Sequence, residues 1–304
     1  MSKAEADIAR SVGAGWRDFY ELTKPRVVML IVFTAVVGML LAVPAWPPLD
    51  AFVFGTLGIG LASSSAAAIN QIIDARVDAQ MKRTQHRPLV QGSLSERQAM
   101  AFAAALGVIS MVTLWTQVNP LTAVLTFASL IGYAVIYTVY LKPATPQNIV
   151  IGGAAGAAPP VLGWVAVTGD VHAHSLLLFL IIFVWTPPHF WALAIAKRDD
   201  YAKVGTPMLP VTHGVPYTKL SVLLYTILLV LVTLLPWLSG MTGLIYLAGT
   251  LLLGAEFMRH AVSLYLAVDD KPAMPTFVYS INYLMLLFGL LLADHYLWPL
   301  VIAQ

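Results

Sequence analysis

The chain has 304 residues, is 59% hydrophobic and 11% charged, and has a mean hydropathy of +0.79. A soluble domain carries about 25% charged residues, so the apolar excess excludes a single water-soluble core and points to a polytopic membrane protein. With no cysteine, disulfides, thiolate nucleophiles, cysteine-ligated zinc and thioether haem attachment are excluded; the net charge of +2 says less than its distribution.

The first 26 residues mix Glu5, Asp7, Asp18 and Glu21 with bases, which fits neither a secretory signal nor a transit peptide. Residues 7–22 place Ile8, Val12, Trp16 and Phe19 on one helical side. They form either a short amphipathic surface helix or a loose tail carrying charge. Residues 27–304 then read as one membrane domain.

Nine apolar segments of about bilayer length follow, at 27–43, 50–70, 97–116, 120–140, 148–167, 173–195, 217–238, 242–265 and 276–302. With nine spans, all 17 Lys and Arg residues fall on the side of the N-terminus. The other side keeps Asp50, Asp170 and Asp294. The positive-inside rule therefore predicts a cytoplasmic N-terminus and an outside C-terminus. Two inner loops, 71–96 and 196–216, are long, and long ordered loops on one face usually carry function. They echo each other weakly: one ends RPLVQG and the other MLPVTHG, a faint pseudo-repeat with its site between the halves.

The most informative stretch is NQIIDARVDAQMKRTQHRPLVQG, from Asn70 to Gly92. Asn70, Asp74 and Asp78 recur every four residues, along one helical face. Mg²⁺ takes one or two protein carboxylates and completes its shell with water and substrate phosphate, so this spacing suits a metal. The structural alternative is a solvated helix end. Asn70 sits at the end of an apolar span, where an unpartnered polar group is costly, and that favours the metal. Arg76, Lys82, Arg83 and Arg87 follow. Topology alone would put bases here, but bases beside acids also suit a diphosphate.

Further along, Tyr137 and Lys142 lie near the inner surface; Lys142 either binds phosphate or anchors the helix at headgroups. The fifth span begins at Asn148 and carries Gly152 and Gly156, which serve either tight packing or room for a broad flat ligand. His189 stands behind Pro187 and Pro188 in an apolar helix, where an ionisable side chain suggests function: iron ligand, acid or base, or hydrogen-bond partner. Asp199, Asp200 and Lys203 make a second, mixed-charge cluster suited to one carboxylate plus one phosphate-binding base. His86 and His213 are either axial ligands or, the reading favoured for each, ordinary loop residues.

These stretches together resemble a known family. The Asn70–Gly92 stretch is similar to the first aspartate-rich motif of the UbiA superfamily of intramembrane prenyltransferases. DAQMKRTQHRPLVQG, NIVIGGAAGAAPPVLGW, WTPPHFWALAI and DYAKVGTPMLPV resemble its protohaem IX farnesyltransferase branch, in order over residues 20–300. The resemblance implies an all-α bundle of nine transmembrane helices in the cell inner membrane, with its site on the cytoplasmic side. It implies transfer of farnesyl from farnesyl diphosphate, with water, to the 2-vinyl group of haem b. Asn70, Asp74 and Asp78 would hold Mg²⁺ and diphosphate, with Lys82, Arg83, Arg87 and Lys142 nearby and His189 in the haem-branch signature. Implied partners are farnesyl diphosphate, haem b as substrate, membrane lipid, and a haem A synthase or terminal-oxidase assembly proteins; no nucleic acid is implied. There are departures. Asp199, Asp200, Tyr201 and Lys203 stand where many relatives carry a second all-acidic motif, and Pro143 stands where the haem branch commonly has Arg. The competing expectations are a prenyltransferase for an aromatic quinone precursor and a haem-binding or transport protein; charges gathered on one face rather than mid-membrane argue against transport.

Overall fold

The computed structural model describes residues 14–302, all-helical in regular structure. A short helix α1, Trp16–Leu22, leads into α2, Pro25–Leu41. Then come α3, Leu49–Asp78; α4, Glu96–Gln117; α5, Pro120–Ala144; α6, Asn148–Thr168; α7, Ala173–Ala196; α8, Val215–Leu238; α9, Leu244–Leu266; and α10, Ala273–Ile302. Helices α2 to α10 coincide with the nine predicted segments. By length and apolarity seven of the described helices can cross a membrane, or eight if α1 and α2, bent by 55°, count as one span. Helix α9 is long enough at 23 residues, but Glu256, Arg259 and His260 dilute its apolar run.

The N-terminal expectation is met in part. Ile8 and Val12 lie outside the described residues. Trp16 and Phe19 do not share one apolar face: Trp16 is exposed, while Phe19 packs on Phe102 of α4 with ring centroids 5.0 Å apart. Leu22 is fully buried, and Gln71 of α3 donates to the carbonyls of Glu21 and Leu22. The bend into α2 falls at Lys24, whose φ of 52° is left-handed, a conformation unusual for a residue with a side chain.

Small side chains let the helices approach closely, as apolar solvent requires when no hydrophobic force draws helices together. Along α3, Gly55, Gly58, Ala62, Ser65 and Ala66 are buried. Ser65 donates to the Ala103 carbonyl at 2.7 Å, and Ser110 of α4 donates to that of Gly58 at 2.6 Å. Two breaks shape the centre. Helix α6 restarts at Pro159 after Ala157, and α7 holds Pro187 and Pro188 inside its run. Prolines there free carbonyls upstream, tolerated in a membrane only beside protein or a cavity.

The end of the bundle away from Asp74 is closed by Asp294. This carboxylate on α10 is 1% exposed and accepts from the amides of Gly243, at 2.6 Å, and Tyr246, at 2.9 Å, capping the start of α9. Replacing Asp294 by Ala leaves buried amides unpaired, so unfolding stability in detergent should fall by roughly 1–3 kcal/mol, read as a lowered melting temperature.

Candidate active site

Helix α3 runs beyond its apolar stretch, and its last two turns bring Asn70, Asp74 and Asp78 to one buried face. A buried carboxylate needs a partner, and each has one. Lys142, at the end of α5, lies 2.6 Å from Asp74 Oδ2. Arg87, from the loop after α3, pairs with Asp78. Lys24 donates to Asn70 Oδ1, while Asn70 Nδ2 donates to Asp74 Oδ2 and to Thr138 Oγ1, both at 3.1 Å. Lys24 stands at the mouth, before α2. Burial first, and the nearby Arg87 second, push its ammonium down to about 7, against the pull of Asp74 and Asp78.

The inner part of α5 is a π-helix over Gly132–Leu141. Ten residues of it are far beyond the usual single-turn bulge, and π segments are enriched at functional sites. The wider turn stacks Tyr133 on Tyr137, 5.6 Å apart, and lets Thr138 donate to the Tyr133 carbonyl at 2.8 Å. It also carries Lys142 round to Asp74. Gly152 of α6 makes room for this: a Cβ there would fall 2.1 Å from the Tyr137 ring. Gly156 differs, since a Cβ there would meet nothing within 4 Å, and it lines a cavity. The two glycines thus divide the readings left open between them, one for packing and one for space.

That cavity, of about 790 Å³, opens from Lys24 and Tyr133 into the bundle between α2, α3, α5, α6, α7 and α10. Its wall is mostly apolar, apart from Lys24 and Arg26, several hydroxyls and His189. His189 lies between the rings of Trp185, 4.2 Å away, and Phe277, 4.7 Å away. Its Nδ1 is 2.7 Å from Ser280 Oγ, whose own proton goes to the Phe277 carbonyl at 2.6 Å. Ser280 has one proton to give, so Nδ1–H donates to it and Nε2 keeps its lone pair. Nε2 has no protein partner among the described residues.

The second inner loop contributes differently from the expectation. Asp199 is 83% exposed and pairs with Arg198 at 3.5 Å; Lys203 and Lys82 are exposed. None of these meets Asp74 or Asp78, because the single turn Arg198–Lys203 buries Tyr201 instead and turns its charges to water. Asp200 is half-buried beside Tyr201. Tyr201 packs in one core cluster with Met81 and Trp191, and the Arg83 guanidinium sits beside its hydroxyl. Burial pushes that phenol up, and Arg83 partly offsets it. The two long loops are joined through Met81, Arg83 and Tyr201, not through a second acidic cluster. His86 and His213 are exposed.

Carboxylates, bases and an apolar cavity at one mouth agree with what comparison finds. The sequence profile of the UbiA prenyltransferase family matches residues 31–301. The chain belongs to the UbiA prenyltransferase family. Within it, the chain is 60% identical over 290 residues to a protein of Nitrosococcus oceani named protoheme IX farnesyltransferase, covering 95% of this chain and 97% of that one. A protein of the same name from Methylococcus capsulatus is 61% identical over 285 residues, 94% and 96% of the two chains. Among solved structures, a digeranylgeranylglyceryl phosphate synthase superposes with a TM-score of 0.78 at 16% identity, over 92% of this chain and 98% of that one. A UbiA homolog from Archaeoglobus fulgidus bound to DMAPP and Mg²⁺ gives 0.61 at 15% identity, over 90% and 99%. These two establish the UbiA fold.

Lys24 is the cation that motif reading passed over. Lys24→Met removes a donor from the mouth of this UbiA site with a side chain only one atom shorter, and should raise KM for the prenyl diphosphate about tenfold, with unfolding in detergent little changed.

Proposed function

We propose that the chain transfers the farnesyl group of farnesyl diphosphate, with addition of water, to the 2-vinyl group of haem b, giving haem O and diphosphate. The observation that carries this is that Lys24, which donates to Asn70 of the Asn70–Asp74–Asp78 face, also lines the 790 Å³, largely apolar cavity that holds His189. The high identity to proteins named protoheme IX farnesyltransferase supports the choice of acceptor.

The donor set fits Mg²⁺. Its atoms are hard oxygens from Asn70, Asp74 and Asp78. Among the described residues no three His, Cys, Asp or Glu converge, so the protein offers part of a shell and leaves the rest to phosphate and water. When bound, the ion neutralises charge developing on the leaving diphosphate. Lys24, Arg87 and Lys142 already lie on the oxygens such a ligand would approach. They exchange carboxylate for phosphate partners and stabilise the departing charge in a site they have already organised. The apolar wall keeps water from the allylic carbon until the vinyl group has attacked. Gly156 leaves width for a flat macrocycle, the inner bases suit its propionates, and His189 presents Nε2 to the acceptor.

Asp74→Asn and Asp78→Asn should each lower haem O formation about 100-fold or more, measured by mass spectrometry on purified protein given farnesyl diphosphate, Mg²⁺ and haem b. His189→Ala should slow transfer to haem while leaving affinity for an unreactive farnesyl thiolodiphosphate unchanged. Full activity of both Asp variants would overturn the metal assignment. Prenylation of 4-hydroxybenzoate in place of haem would overturn the acceptor.

In the membrane, α2 to α10 form nine spans of a single domain over residues 27–304, in the cell inner membrane, with the N-terminus and the site cytoplasmic and the C-terminus outside. The one-sided Lys and Arg distribution supports this. The absence of cysteine makes the test simple. Gln85→Cys should react with an impermeant maleimide only from the cytoplasmic side, and Val171→Cys only from the opposite side.

A further inference from the structure

The outer end of the main cavity is a packed stop. Helices α2 and α6 cross there backbone against backbone: a Cβ on Gly38 would lie 2.1 Å from the Pro160 carbonyl oxygen, and one on Gly163 would lie 2.0 Å from that of Ala35. Around the crossing Ala35, Met39, Ile59, Leu162 and Ala166 form one buried cluster. Two of its members, Ile59 and Leu162, also line the cavity. They are 1% and 4% exposed, and they join the cavity wall to the packed cluster behind it. Forcing extra methylenes into the crossing or the core behind it would displace closely packed atoms and is disfavoured.

The wall leading to this stop is graded along α3. Along α3, outward from the Asn70–Asp74–Asp78 face, the cavity is lined by Ala67, Ala66, Ser63 and Ala62, all small, and then by Ile59, which is branched. Asp74 to Ile59 is roughly 22 Å along the helix, about four turns. A diphosphate and an extended isoprene unit are each about one turn long. With the phosphate at the acids, the groove along α3 has room for three isoprene units.

We infer that Ile59 and Leu162 are the specificity-determining stop that limits the prenyl donor to fifteen carbons. This rests on the reading of the site as one for a prenyl diphosphate. Small residues along α3 make the groove, and the first branched residue on that face ends it. A twenty-carbon tail would have to displace the α2–α6 crossing; a ten-carbon tail would leave the Ile59 end empty and lose that apolar burial.

The test compares geranyl, farnesyl and geranylgeranyl diphosphates on the full chain in detergent with Mg²⁺ and haem b, alongside Kd values for the three unreactive thiolodiphosphates. Ile59→Ala and Leu162→Ala should each raise the twenty- to fifteen-carbon ratio of kcat/KM, and of affinity, about tenfold or more. Ala62→Phe, one turn nearer the acids, should raise the ten- to fifteen-carbon ratio by a similar factor. The changes act in opposite directions, so a general loss of folding cannot mimic them. Unchanged ratios in all three variants would overturn the stop. If the wild-type chain fails to prenylate haem, the function reading falls instead, and the thiolodiphosphate affinities still decide whether Ile59 and Leu162 measure the tail.

Discussion

Everything at the inner end of this bundle depends on neutralising Asp74 and Asp78. Two carboxylates on one buried helix face cannot stand without counter-charge, and removing one partner of such a pair costs about 3–5 kcal/mol. Here the counter-charges come from different places: Arg87 from the following loop for Asp78, and Lys142 from the far end of α5 for Asp74. Lys24, from the start of α2, holds the Asn70 that donates to Asp74. The need to satisfy two acids therefore ties three separate parts of the chain to the end of α3. The same cations are the ones a diphosphate would need, so ligand binding becomes an exchange of partners within a site that is already in place.

The cavity beyond is held open by stiffness. Pro159 and the Pro187–Pro188 pair interrupt the helical ladders on two of its walls. The rings of Trp185 and Phe277 confine His189, Ser280 Oγ fixes its orientation through Nδ1, and the Ser280 carbonyl holds Trp185 by accepting its Nε1–H at 2.8 Å. A histidine so placed has one tautomer and one orientation, and its lone pair is available without prior rearrangement.

The helical rods and the four-residue rhythm of Asn70, Asp74 and Asp78 were legible in the sequence, because each follows from a period or a composition. Contacts set by three dimensions were not. Lys24 looked like one more topological base, since nothing local distinguishes a lysine that folds back onto Asn70 from one in water. The π-helix over Gly132–Leu141 has no mark in a pattern read at 3.6 residues per turn, yet it decides where Lys142 points. Asp199 and Lys203 were legible as a charged cluster, but only the fold shows that their turn buries Tyr201 and sends the charges outward. Gly152 and Gly156 share one face in sequence, and only the position of Tyr137 separates packing from space.

The two ends of the cavity are built from opposite materials, and that polarity orders the chemistry. At the mouth beside Asp74 charge is dense, and on the proposed reading ionisation of a carbon–oxygen bond there would leave its negative product among Lys24, Arg87 and Lys142. The positive product has only apolar wall around it, where an unsolvated cation is costly and short-lived. It is kept from water by the same wall, so the fastest partner is the π-bond already lying against it. The more tightly the stop at Ile59 and Leu162 holds the tail, the less freedom the reacting carbon has to move away from the mouth. Holding reactants in this way is the principal rate advantage open to a site with so few polar groups of its own.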